Sequence, residues 1–415
     1  MSIILAGTGC GSLSSMTNEV ASAIRDADIL IGAKRLLESI PDDYTAKAVQ
    51  RKPAIYAAEI LEIIQEQCDS DGNCPLQICV LYSGDSGFYS GTRSLVPLLD
   101  AAGIKSEVLP GISSIQMFSA RMKRPWQDWR LVSAHGTDCD AVAEVCQGQP
   151  VFFLTGGKLG PADLCQQLEE AGLGNLTVTV GERLSYEDEC ILTGTASEFA
   201  AKAFAPLSVM LAEPAPCMGD LTPGIDDSQF VRGSVPMTKK DVRAAILSHM
   251  KIHPGDTVWD VGSGTGSVSI EMAMKASRGR VYAVERNPEG VSLLDENRKK
   301  FGTWNVVSVE GYAPQVLQDL PAPDKAFIGG SSGNLKDIID VILHKNENAL
   351  VCITAIVLET LQEAVQQLTA HGLAIEIVQI AANKAKPVGS KHMMMAENPI
   401  YIITGQRPET GGSND

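Results

Sequence analysis

At 415 residues with 44% hydrophobic content, the chain is too long for one ordinary core and reads as two or three globular domains. Its net charge of −16 is uneven, since residues 1–230 hold 15 Lys+Arg against 30 Asp+Glu and residues 231–415 hold 19 against 20. Neither part has the basic excess that a nucleic acid or an anionic membrane requires, and no apolar run approaches a membrane span. The opening Met1-Ser2-Ile3-Ile4-Leu5-Ala6 lacks a basic leader, so a cytoplasmic protein is expected.

In chain order, strands are expected at 2–6, 28–31, 77–82 and 106–109, alternating with helices, and a second set follows at 130–133, 150–154, 176–180 and 207–211. The strand at 77–82 runs into Ser83-Gly84-Asp85-Ser86-Gly87-Phe88-Tyr89-Ser90, and that at 106–109 into Pro110-Gly111-Ile112-Ser113-Ser114. Two glycine-containing turns at adjacent strand ends exceed what a compact loop needs. Between Leu211 and Val235 periodicity is lost, and Pro214, Pro216 and Pro223 mark a connector. Beyond it, Lys239 to Met250 has helical spacing. Strands at 257–261, 281–285, 305–309, 324–329 and 349–354 then alternate with helices, and a reversed pair at 374–381 and 399–405 finishes the sheet. The expected organisation is a domain at 1–213 with subdomains of about 1–115 and 116–213, a linker at 214–234, a doubly wound α/β domain at 235–408 and a disordered tail at 409–415. The ten cysteines include no CxxC spacing among Cys68, Cys74 and Cys79, which favours reduced, mostly buried thiols and no metal site. Cys10, in the first glycine loop, is the exception to watch.

The most informative segment is Thr-Val-Trp-Asp-Val-Gly-Ser-Gly-Thr-Gly at 257–266, a strand passing through Asp260 into a turn with Gly262, Gly264 and Gly266. A dinucleotide fingerprint needs a third glycine three residues after the second, where this chain has Ser267. The tighter alternation suits S-adenosylmethionine. Glu285, closing the next strand, is placed to accept hydrogen bonds from two ribose hydroxyls, and Asp260 fits a cationic methionyl amine better than a pyrophosphate. A plain strand-to-helix turn and an NAD site are the competing readings. A nucleic-acid methyltransferase would carry an Asn/Asp-Pro-Pro-aromatic motif after strand four, where this chain has Gly329-Gly330-Ser331.

Gly84-Asp85, Phe88-Tyr89 and Pro110-Gly111-Ile112-Ser113-Ser114 resemble the tetrapyrrole methylase family, as do Gly7-Thr8-Gly9-Cys10-Gly11, Leu154-Thr155-Gly156-Gly157 and the run Val180 to Tyr186. Ser86 stands where that family commonly has proline, which predicts a looser turn. It is also the one sequence hint towards a tetrapyrrole binder without turnover. Met237-Thr238-Lys239, the 260–266 loop, Gly311-Tyr312-Ala313-Pro314 and Phe327-Ile328-Gly329-Gly330-Ser331 resemble a second family, the precorrin methylases that also decarboxylate. The pairing covers nearly the whole chain. It implies an amino-terminal two-subdomain tetrapyrrole methylase fold and a carboxy-terminal Rossmann-like class I methyltransferase. It further implies two methyl transfers to ring carbons with loss of carbon dioxide, a precorrin as partner, and a homo-oligomer.

The cofactor residues so implied are Asp260, Gly262, Gly264, Gly266, Glu285 and Ala313 in the second domain, and Gly84, Asp85, Phe88, Tyr89, Ser113 and Ser114 in the first. Gly329, Gly330 and Ser331 are expected to face the substrate, because glycines let a flat macrocycle come close. Lys384, Lys386, Lys391 and His392 are candidate partners for its carboxylates, or else a solvated basic loop. In the first half Arg121, Lys123 and Arg124 are candidates for the same task. His135 is either a proton carrier or a hydrogen-bonded structural group. No nucleophile–base pair is legible from spacing, and alignment of the methyl donor with an electron-rich carbon needs none.

Overall fold

The computed structural model describes residues 3–46, 48–69, 74–216 and 222–408, and the expected tail at 409–415 lies outside them. The chain divides into two compact units, residues 1–139, 149–169 and 174–213 in one and residues 140–148, 170–173 and 214–415 in the other.

The first unit opens with β1 (Ile3–Gly7), α1 (Asn18–Asp26), β2 (Ile29–Gly32), α2 (Lys34–Ser39), β3 (Gln50–Pro53), α3 (Ala57–Gln65), β4 (Ile78–Tyr82), α4 (Thr92–Ala101), β5 (Ser106–Leu109) and α5 (Ser114–Met122). The five strands form one parallel sheet in the order β3-β2-β4-β1-β5. Its central strands are buried on both faces, which is why Ile-Ile-Leu-Ala and Ile-Cys-Val-Leu read as continuous apolar runs. Because β4, β1 and β5 are neighbours, the turns leaving them share one edge. There the backbones meet: a Cβ on Gly7 would lie 2.8 Å from both Gly111 N and Gly84 O, and one on Gly111 would collide with Gly7 O and Gly84 O. Short β3 had no apolar signal, being half exposed.

A second sheet follows, from β6 (Arg130–Ser133), α6 (Ala141–Val145, which packs with the other unit), β7 (Val151–Leu154), α7 (Pro161–Glu170), β8 (Thr177–Glu182), β9 (Cys190–Thr195), α8 (Ala196–Ala200) and β10 (Ser208–Ala212). Its order is β6-β7-β10-β8-β9, with β6 and β7 parallel and the remaining pairings antiparallel. The thiols of Cys68 and Cys74 are joined as a disulfide, correcting the expectation of reduced cysteines there. The chain turns back between α3 and β4, and this brings together two cysteines that no metal-type spacing relates.

In the second unit α9 (Lys240–Met250) precedes β11 (Thr257–Val261), α10 (Ser267–Lys275), β12 (Arg280–Glu285), α11 (Pro288–Phe301), β13 (Val306–Glu310), β14 (Lys325–Ile328), α12 (Leu335–Lys345), β15 (Leu350–Ala355), α13 (Leu358–Ala370), β16 (Ala374–Ile380), β17 (Lys384–Val388), β18 (Lys391–Met395) and β19 (Ile400–Gln406). The sheet order is β13-β12-β11-β14-β15-β19-β16, the first five strands parallel. β19 is slotted between β15 and β16 and runs antiparallel to both, so the expected antiparallel pair finishes the sheet, with β16 at the edge running in the direction of the parallel strands. Helix boundaries follow local chemistry. For α11, the Asn287 side chain accepts from Glu289 N at 3.0 Å, Pro288 fills the first turn, and Gly302 at φ 64° closes the end beside Arg298, Lys299 and Lys300.

The stretch after Pro223, expected as connector, is built into this unit. Ile225 and Phe230 are buried in its core, and Arg243, fully buried on α9, holds the segment in place. Its guanidinium pairs with Glu271 at 2.9 Å and Asp227 at 2.8 Å, donates to Ile225 O and Thr238 O, and lies 4.7 Å from the Phe230 ring centroid. Gly224 N donates to the other Glu271 oxygen at 2.7 Å. Removing one partner of a buried pair strands the other. Arg243→Ala is therefore expected to cost about 3–5 kcal/mol, read as a lower urea midpoint of the full chain, while the double change Arg243→Met with Glu271→Leu recovers only part of it, because Asp227 and Gly224 N also lose a partner.

Candidate active sites

The second unit carries a cavity of about 760 Å³ at the carboxyl edge of its parallel strands. Asp260, Gly262, Gly264, Glu285, Ala313, Gly329, Gly330 and Ser331 all line it. Gly262, at φ 79°, shows why no side chain fits the loop: a Cβ would lie 2.8 Å from Gly330 N and O. Gly266 does not reach the cavity; it caps α10 at φ 75°, where a Cβ would meet Leu294.

Asp260 is fully buried. Its Oδ2 accepts from the Ser269 hydroxyl, and among the described residues Oδ1 has no partner. Burial pushes its pKa up to about 7, with the Glu285 charge adding and the Ser269 hydrogen bond opposing. Glu285 accepts from Gly264 N, Arg286 N and Asn287 N, each at 2.8 Å. Three of its roughly four acceptor positions are thus spent on shaping the loop, which leaves capacity on Oε2 for a ligand hydroxyl.

The segment Val235 to Lys239 forms one wall; its Met237-Thr238-Lys239 stood out in the sequence as a family motif but was not assigned to the cavity, whereas aperiodic Val235 and Pro236 left no signal. The sequence reading also missed Arg286, whose guanidinium lies 5.7 Å from the ring centroid of exposed Tyr312, although it directly follows a strand-end acid and could have been found from that position. Lys384, Lys386, Lys391 and His392 do not converge on this cavity. They lie on the exposed hairpin β17–β18, and Lys384 pairs with Asp241 at 3.1 Å.

The first unit has a smaller cavity of about 250 Å³, between its two sheets. Gly84, Asp85, Phe88, Tyr89, Ser113, Ser114 and His135 line it together. The Asp85 carboxylate is occupied by backbone, accepting from Gly87 N at 2.9 Å and Gly111 N at 3.0 Å, so it locks one turn to the next. Ser86 does not loosen its turn: buried, it donates to Leu109 O at 2.9 Å and replaces proline's rigidity with a cross-link. Gln116 Oε1 accepts from Ser113 N at 2.6 Å and fixes the start of α5. Cys10 also lines the cavity; its thiol donates to Ile112 O at 3.3 Å, and burial, helped by Glu189, pushes its pKa up to about 11, so it stays a protonated thiol. Nδ1 of His135 lies 3.4 Å from Thr155 O. Arg121 and Arg124 are committed to Glu189 and Glu213, Lys123 is a left-handed helix cap, and none of the three lines the cavity.

Two known families match the two parts of the chain, tetrapyrrole (corrin/porphyrin) methylases over residues 2–200 and the precorrin methyltransferase domain over residues 229–407. The chain is thus a two-part tetrapyrrole methyltransferase whose methyl donor is S-adenosylmethionine. A Sinorhizobium relative, precorrin-6Y C(5,15)-methyltransferase (decarboxylating), is 31% identical over 329 residues, 78% of this chain and 77% of its own length. The chain belongs to that family. A probable cobalt-precorrin-6B C(15)-methyltransferase (decarboxylating) of Pyrobaculum calidifontis is 42% identical over 186 residues, 44% of this chain and 95% of its own. A solved precorrin-6Y C5,15-methyltransferase from Geobacter metallireducens is 39% identical, covers 44% of this chain and 98% of its own, and superposes with a TM-score of 0.43. No helix among the described residues is long and apolar enough to cross a membrane.

The residues lining the second cavity fit the methyl donor. Its cationic amine would supply the donor that Asp260 Oδ1 lacks, and the glycine turn leaves room for a ligand close to the backbone. Binding must then ionise Asp260 at pH values below about 7. Donor affinity at this site is expected to fall about tenfold per pH unit below that point, and Asp260→Asn should flatten the profile at a cost of about 10- to 100-fold in affinity, both read by calorimetry. The raised folded pKa also means that ionising Asp260 opposes folding as pH rises from about 4 through 7, so without ligand the Asn variant should gain melting temperature relative to wild type over that range.

Proposed function

We propose that the chain adds methyl groups to C5 and C15 of a precorrin, precorrin-6B or its cobalt form, and removes carbon dioxide from the acetate chain on C12, giving a precorrin-8. The first unit takes the C5 transfer; the second takes the C15 transfer and the decarboxylation. The observation that carries this division is that decarboxylating C15 enzymes match the carboxy-terminal half and nearly their whole own length, whereas the C5,15 enzyme aligns across both parts.

The donor supplies an electrophilic methyl group, so the protein's task is alignment and exclusion of water. In the second unit Asp260 holds the amine, Glu285 orients the ribose, Ala313 borders the adenine, and the Gly329-Gly330-Ser331 turn forms a floor that a planar ring can approach. Lys239 and Arg286 line the same cavity and are placed to receive substrate carboxylates. Ile353, Ile356 and Val357 give it an apolar side. A carboxylate brought against them loses hydration, which favours departure as neutral carbon dioxide; the electron pair left on the acetate carbon passes into the conjugated ring, and a proton from solvent then converts that carbon to a methyl group. In the first unit the backbone of Gly84, Ser113 and Ser114 and the rings of Phe88 and Tyr89 form the donor site, while Asp85 keeps the turns together.

The test is product mass spectrometry of full-length variants. Gly262→Ala is expected to yield a product with one added methyl and its carboxyl retained. Gly111→Ala should yield one that has gained the other methyl and lost carbon dioxide. Decarboxylation surviving in Gly262→Ala but absent from Gly111→Ala would refute the division.

A further inference from the structure

The first unit poses an electrostatic difficulty, because acids outnumber bases two to one across residues 1–230, yet the proposed substrate is a polycarboxylate. The cations around its cavity are mostly consumed. Arg183, which lines the cavity, pairs with Asp188 at 2.5 Å, Arg121 pairs with Glu189 at 2.5 Å, and Arg124 pairs with Glu213. Lys34 pairs with Glu38 at 3.7 Å. Arg35 differs: it lines the cavity, it is exposed, and it makes no hydrogen bond or ion pair with any described residue. In a unit with so large an acid excess, an unpaired guanidinium at a cavity is the exception.

Its placement is also fixed. Arg35 lies in the first turn of α2, directly after β2, and β2 is hydrogen-bonded to β4, whose end carries Ser83, Gly84 and Asp85. Leu36 and Leu37 anchor the helix in the core, and Arg51 donates to Leu37 O at 3.0 Å. Asp85, which lines the same cavity, makes no ion pair with it; its two oxygens accept the Gly87 and Gly111 backbone N–H groups instead.

Resting on the assignment of the first unit to a tetrapyrrole, we propose that Arg35 anchors a propionate or acetate carboxylate of the substrate and so sets the face and rotation at which the ring meets the donor. A guanidinium grips a carboxylate through two parallel hydrogen bonds, which fixes orientation as a lysine point charge does not.

The test uses full-length protein with precorrin-6B or its cobalt form, saturating S-adenosylmethionine, and C5 methylation followed by mass spectrometry. Arg35→Ala is expected to raise KM for the tetrapyrrole at least about tenfold and to lower kcat for C5 methylation as the ring loses its alignment, with donor KM unmoved. Arg35→Lys should recover part of the loss, and Arg35→Glu should exceed it. Because the side chain is exposed and makes no hydrogen bond or ion pair with any described residue, melting temperatures should match wild type. An unchanged tetrapyrrole KM in Arg35→Ala, or a rise in donor KM instead, overturns the anchor while C5 methylation by the Gly262→Ala background leaves the site assignment standing. If that background adds no methyl at C5, assignment and anchor fall together.

Discussion

Both cavities depend on the same constraint: turns leaving adjacent parallel strands must touch backbone to backbone. In the second unit the Gly262 loop lies against Gly330, and in the first Gly7, Gly84 and Gly111 converge so closely that a Cβ on Gly7 or Gly111 would collide with the neighbouring backbone. A parallel sheet delivers these turns to one edge, but only a missing side chain lets them close. Once closed, the turns present peptide N–H and C=O groups at fixed spacing, a surface that a bulky, flat ligand can approach without rearrangement. The sheets differ in order and in how many strands are parallel, so the shared device is a property of strand ends rather than of one fold.

Carboxylates do two separate jobs on these scaffolds. Asp85 and Glu285 are largely absorbed in organising backbone, each accepting N–H groups from the turns that shape a cavity. Asp260 is held back: buried, half satisfied by Ser269, and with one oxygen unpartnered. Burial raises its pKa, and a cationic partner at the free oxygen would favour the charged form.

The turns were legible because glycine, proline and small polar residues at strand ends have a local physical meaning. The strands of both parallel sheets were legible from continuous apolar runs. What escaped notice lacks such a signature. β3 is polar and partly exposed, β17 and β18 are wholly exposed, and Val235-Pro236 has no periodicity and leads into a segment held by Arg243 through Thr238 O. Charged residues were the least readable class. Arg121 and Arg124 looked available in sequence and are paired in space, whereas Arg35, flanked by a lysine that finds its own glutamate, gave no hint of being left over.

The arginine at the centre of α9 bears on where the second unit can be divided from the rest. Its acceptors include Ile225 O and Asp227, upstream of the residues that read as domain, and its reach to Thr238 O holds one wall of the larger cavity. A cut in the proline-bearing stretch at its downstream end would sever the cavity from its own retaining strap. The methyltransferase is therefore portable only with that strap attached, and the apparent linker is in its latter part a piece of the enzyme it seems to tether.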